Sequence, residues 1–144
     1  MITRNPEAST VRARAWQVAF YLLFVAMIGA GVLNVLRIRG GFLTNHLADL
    51  TGPAWLYIAS RGLHTRNPRR TLIRRTVGRS AESAAVSLFV ASAATELSQL
   101  FWPHGVFPGR FDPLDLVAYA TGLLVCYAAE RRFPLAPESR GLPR

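Results

Sequence analysis

The sequence predicts an all-α protein made for a bilayer: an integral membrane bundle of four transmembrane helices with both termini in the cytoplasm. Three observations lead there. Hydrophobic residues make up 51% of the 144 residues, yet the formal net charge is +9. Mean hydropathy is +0.22. A soluble domain this apolar is rarely this basic, and the two values fit together because the charges flank the apolar runs. The third observation is the uneven distribution of arginine between successive connecting segments.

The first apolar run, Ala15–Leu36, has 22 residues and no charge. At ~1.5 Å per residue it covers about 33 Å, enough for a hydrocarbon core of ~30 Å. Arg4, Arg12 and Arg14 precede it as the basic segment of a signal peptide would. However, the run exceeds the ~7–15 apolar residues of such peptides, and no small-x-small cleavage site follows, so a retained span is expected. The second run, Phe42–Ser60, is weaker: it carries Asn45, His46 and Asp49, and Pro53 interrupts it. The third, Ser83–Trp102, has 20 residues, with Glu96 and Gln99 near its end. The fourth, Leu114–Ala129, has 16, and Pro113 extends it to a span of about 113–129.

Topology settles the weak runs. All 17 basic residues are Arg, a bias expected of a GC-rich bacterial genome. If all four runs span, the N-terminal tail carries Arg4, Arg12 and Arg14. The 61–82 loop carries Arg61, Arg66, Arg69, Arg70, Arg74, Arg75 and Arg79, and the C-terminal tail Arg131, Arg132, Arg140 and Arg144. That places 14 on one side against 3 on the other, Arg37, Arg39 and Arg110. Short loops rich in Arg stay cytoplasmic, so four spans with both ends inside satisfy the rule and three do not. One domain is expected: a cytoplasmic tail over 1–14, a transmembrane domain over 15–132, and a Pro-rich disordered tail over 133–144. Asn67-Pro68 reads as a turn within the Arg-rich loop. A nucleic-acid binder would gather its charge on one face or arm, so the bilayer is the expected partner. Oligomeric state is not legible. Cys126 is alone, which excludes an internal disulfide and reads as a small buried residue.

The polar residues inside the spans converge in depth. Glu96 lies six residues before Trp102, ~9 Å below the outer interface, and Asp49 seven residues after Phe42, ~10 Å below it. Ser92, Glu96 and Gln99 share one helical stripe; His46 and Asp49 share a face, as do Asp115, Tyr119 and Gly122. An intramembrane acid costs at least ~2.5 kcal/mol at mid-bilayer, so it faces the bundle interior and marks a site. Structural roles compete with this. Asp112-Pro113-Leu114-Asp115 is a helix start, with Asp112 as N-cap, Pro113 at N1 and Asp115 as a first-turn acid. Asn45 or Thr44 is a candidate cap of the second helix, and Pro53 frees the carbonyl of Asp49. His46 and His104 lie near the interface. Gly122 allows a neighbouring helix to approach closely. Glu96 has no such alternative role.

An acid-x-x-Gln on one helix, then an Arg, then spaced acids opening the next helix ahead of a Gly, resembles the VanZ-like membrane proteins. It resembles more closely a related small bacterial family of unknown function with the pattern Gly-Phe-Asp-x-x-Asp-Leu-x-x-Tyr. The matching residues are Glu96, Gln99, Arg110, Asp112, Asp115, Tyr119 and Gly122, with Asp49 upstream and Gly109-Arg110-Phe111 in place of the tighter Gly-Phe. Tyr119 stands where VanZ-like proteins carry Asn. The resemblance spans residues 42–129 and implies a cell-envelope role in the bacterial cytoplasmic membrane.

The expected function is therefore an outer-leaflet site that binds or processes an envelope lipid or lipid-linked glycan. Glu96, Asp49 and Asp115 are the candidate catalytic acids and bases, and Gln99, Arg110, Asp112, Tyr119 and His46 the candidate binding groups. The alternative is a non-enzymatic protein whose polar cluster serves helix packing or partner binding; the residues do not decide between them. A metal-binding reading would use His46, Asp49, Glu96 and Asp115. No ligand-spacing motif supports it, so neither a metal nor a cofactor is expected. There is no phosphate-binding Gly-rich loop and no nucleophile elbow. Four short helices leave little room for inverted transport repeats.

Overall fold

The computed structural model describes residues 6–36, 38, 40–65, 80–104 and 110–134. These form four α-helices and, among the described residues, no strand: α1 (Pro6–Val35), α2 (Phe42–Arg61), α3 (Ala81–Phe101) and α4 (Pro113–Arg132). The Asn67-Pro68 turn and the tail beyond Pro134 lie outside the described residues.

Each helix is bounded by local chemistry. α1 begins nine residues before Ala15. Proline is tolerated in a first turn and Glu7 suits the positive end of the helix, so nothing from Pro6 onward interrupts it. α2 starts immediately after Gly41, whose φ of 107° only glycine adopts without strain. Thr44 and Asn45 therefore lie inside the helix, and the expectation that one of them is its N-cap residue is corrected: Gly41 holds that position. α2 runs unbroken through Pro53 and stops at Gly62, in the left-handed region at φ 67°. The N–H of Gly62 there donates to the Ala59 carbonyl at 3.0 Å and that of Leu63 to Ile58 at 3.1 Å. α3 opens with a reciprocal cap, Ser80 Oγ accepting from the Ser83 N–H and Ser83 Oγ from the Ser80 N–H, both at 3.0 Å. α4 opens as expected, with Asp112 accepting from the Leu114 N–H at 2.9 Å and Pro113 in the first turn. It continues past Ala129 to Arg132, reaching 20 residues.

The contact pattern fixes the directions of the helices. Paired residues on α2 and α4 keep a nearly constant offset along both: His46 with Asp115, Asp49 with Tyr119, Ala54 with Cys126, Tyr57 with Glu130. Those two helices run parallel. α3 meets α4 in the opposite sense, Glu96 near its end touching Tyr119 while Glu82 at its start touches Arg131. α1 is likewise antiparallel to α2, since Phe20 packs on Trp55 and His64, and Met27 lies beside Gly52. The result is an up-down-up-down bundle in which α2 packs against each of the other three.

This central position explains the composition of α2. Two segments, Ser9–Val35 and Ala81–Phe101, are long and apolar enough to cross a membrane. α2 is less apolar because its neighbours are protein: Ala54, Tyr57, Ile58 and Ser60 are all buried. In contrast, α1 exposes Val18, Tyr21, Leu22, Val25, Ile28 and Val32 around most of its girth. α2 and α4 also come unusually close. A Cβ added at Gly122 would run into the backbone carbonyl of Leu50, so only glycine permits this crossing.

At the end of the bundle flanked by the Arg-rich segments, a second buried polar group locks the same two helices. Glu130, 8% exposed, accepts from the Tyr57 hydroxyl at 2.6 Å and from the Arg61 guanidinium at 2.5 Å. The carboxylate is fully paired there, which lets α4 carry an acid into the core and extend beyond its apolar run. None of these residues stood out in the sequence as a group. Tyr57 and Arg61 do share a face by their i, i+4 spacing, the one signal that could have paired them with an acid.

Candidate functional site

At the opposite end, three helices bring their acids together. α2 contributes His46 and Asp49, one turn apart; α3 contributes Glu96 and Gln99; α4 contributes Asp115 and Tyr119, again one turn apart. Parallel packing of α2 on α4 sets the first pair opposite the second. The antiparallel α3 delivers Glu96 to the same level from its C-terminal end.

Glu96 is the most enclosed acid, at 4% exposure. Its Oε1 accepts from the Tyr119 hydroxyl at 3.1 Å and from the Gln99 amide at 3.3 Å. Among the described residues its Oε2 is reached by the Asp112 N–H alone, at a long 3.5 Å. The same Tyr119 hydroxyl lies 3.3 Å from Asp49 Oδ1. A phenol has one proton to donate, so it serves one carboxylate at a time. The other contact becomes a hydrogen bond only when that carboxyl holds a proton of its own.

Asp115 is paired with His46, whose Nδ1 lies 2.6 Å from its Oδ1. This tie takes Asp115 beyond the role of a first-turn acid. His46 is itself buried, at 8% exposure. Asp49 completes the group: His46, Asp49 and Asp115 each offer a donor atom, and the three atoms lie within 4.8 Å of one another. The chain of contacts thus runs His46–Asp115–Asp49–Tyr119–Glu96–Gln99. It can store a proton, pass one along, or present several oxygens and a nitrogen to a ligand.

Of the expected site residues, Asp49, Glu96, Asp115, Gln99, Tyr119 and His46 belong to this cluster. Asp112 touches it by its backbone, while its carboxylate is engaged as the α4 cap. Arg110 is exposed, and among the described residues no hydrogen bond or ion pair joins it to the acids. His104 is exposed as well.

Fold and site together define an all-α four-helix protein, two of whose helices suit a membrane, with an ionisable cluster enclosed at one end of the bundle. No family model matches the chain, and no curated protein or solved structure does so either.

Proposed function

We propose that the chain is a VanZ-like protein of the bacterial cytoplasmic membrane that binds, and acts on, an envelope lipid or lipid-linked glycan from the outer leaflet. All four helices span, with both termini inside. The 14-to-3 Arg distribution supports that orientation. The up-down-up-down order and the apolar girth of α1 agree with it. α2 and α4 cross despite His46, Asp49, Asp115 and Tyr119 because those side chains meet one another between the helices.

One observation carries the functional reading: the single Tyr119 hydroxyl shared by the half-buried carboxyl of Asp49 and the buried carboxyl of Glu96. Two acids bridged by a phenol form a proton-handling unit, in which one carboxyl is set to donate while the other accepts. A headgroup hydroxyl or phosphate entering from the outer interface is the substrate chemistry such a unit serves.

A second reading has its own support. Tyr57, Arg61 and Glu130 make a buried polar lock between α2 and α4 at the other end. This chain therefore does use enclosed polar groups to fix packing, and the Glu96 cluster on that reading is a second lock. Glu96→Gln separates the two. Gln keeps the shape and the hydrogen bonding that packing needs but cannot exchange a proton, so an envelope phenotype lost at normal membrane level supports the site, and one retained supports the lock.

A further inference from the structure

We infer that His46, Asp49 and Asp115 form a binding site for one divalent cation of the zinc or manganese type. The donor set is mixed, one imidazole and two carboxylates, and it is built from two helices rather than one acidic stretch. The donor atoms lie within 4.8 Å of one another. Around an ion with bonds of ~2.0–2.2 Å, neighbouring donors stand about 3–3.5 Å apart. Side-chain torsions alone close that difference. That adjustment falls to the side chains, because the two helices are held together just inward of the site by the close Gly122–Leu50 crossing and, farther along, by the Glu130 lock.

Charge balance supplies an independent argument. Asp49, Asp115 and Glu96 gather three carboxyls in one cluster, Glu96 buried and the two Asp half-buried, and among the described residues His46 is the one basic side chain bonded to it. With one carboxyl of the Tyr119 bridge protonated, as its two contacts require, and with His46 charged, the cluster carries an excess of one negative charge, which is unfavourable where water is partly excluded. One divalent ion, with His46 neutral as a ligand must be, brings the sum close to balance. A His46–Asp115 ion pair alone accounts for neither the nearness of Asp49 nor that of Glu96.

The surroundings are those of a ligand set. Asp49 faces the Tyr119 hydroxyl, as metal-bound carboxylates are commonly hydrogen-bonded from behind, and Glu96 anchors that hydroxyl in turn. An imidazole with two carboxylates suits zinc or manganese better than calcium, which takes ~6–8 oxygens. Three protein ligands leave coordination positions open, and phosphate oxygens of a headgroup are the ligands that fit them. Only that last step rests on the lipid reading above; the cation site itself does not.

The test uses the full-length protein, purified in a phosphate-free detergent and stripped with chelator. It is titrated with Mn2+, reading the free ion by electron paramagnetic resonance, and with Zn2+ in competition. Saturation at one ion per chain is expected, with affinity roughly tenfold or more weaker in His46→Ala and in Asp115→Asn. Glu82→Gln, which removes an exposed acid elsewhere, should bind as the parent does. Should those two site variants fail to accumulate, His46→Cys retains a ligand: with Co2+ it should show a thiolate-to-cobalt absorption band that the parent lacks. Lack of saturable binding by the parent overturns the inference, as does unaltered binding by both site variants or a missing band in folded His46→Cys. Because no headgroup is present, each of those outcomes leaves the lipid reading standing.

Discussion

The Tyr119 hydroxyl of α4 lies 3.1 Å from Glu96 Oε1 on α3 and 3.3 Å from Asp49 Oδ1 on α2, so its one proton is placed to serve either carboxyl. The side chain is buried, so no bulk water takes over the bridge when it is removed. Tyr119→Phe keeps the ring and its packing and loses only the hydroxyl. Hydrogen bonds of this kind within membranes are worth ~0.6–2 kcal/mol, so the variant should fold and accumulate. Its expected defect is functional: loss of any envelope phenotype, measured beside membrane level by immunoblot. A fully active Tyr119→Phe would remove the bridge from the mechanism.

Replacing Glu96 by Gln tests the acid itself. The variant should accumulate normally and lose function, because an amide cannot exchange the proton. Asp112→Asn is the matched comparison. Its carboxylate caps α4 by accepting from Leu114, and Asn caps nearly as well, so little loss is expected. Equal behaviour of the two variants would favour the packing role for the cluster.

Topology is checked with a reporter that is active only outside the cytoplasm. Fused after Arg144 it should be silent, and inserted beside the exposed His104 it should be active. Activity at the C-terminus would rule out the four-span arrangement drawn from the 14-to-3 Arg split.

The Glu130 lock bears on stability rather than on chemistry. Glu130→Ala leaves the Arg61 guanidinium and the Tyr57 hydroxyl without their shared acceptor inside the bundle. Breaking one side of a buried pair costs about 3–5 kcal/mol. A large fall in thermal midpoint is expected, and Tyr57→Phe should fall by less because the ion pair survives. A midpoint unchanged in Glu130→Ala would mean that the pair is solvated in solution.

Gly122→Ala addresses the α2–α4 crossing. The added methyl meets the Leu50 carbonyl, a backbone atom that cannot swing aside, so the helices must separate. A cost of about 1–3 kcal/mol is expected from such overpacking, together with lost function, since the same crossing sets His46 and Asp49 opposite Asp115 and Tyr119. Gly29→Ala, where a Cβ meets nothing, is the control and should be neutral.

Helix existence and order were legible in the sequence because they rest on local chemistry. The apolar runs give α1 and α3; the cap at Asp112 and the first-turn Pro113 act within a single turn. The coincidence in depth of Asp49 and Glu96 followed from a fixed rise per residue, and it anticipated their common bridge. Which residues touch was another matter. Helical rise gives depth but not the rotation of one helix against its neighbour, so the chain of contacts through Tyr119, the His46–Asp115 pair and the separation of Arg110 from the acids had no local signature. The same holds for Glu130, an acid beside two arginines whose partner, Arg61, lies 69 residues earlier. Tertiary packing alone decided these pairings, because the parallel register of α2 on α4 is set by the close approach at Gly122, and that register determines which buried charge meets which.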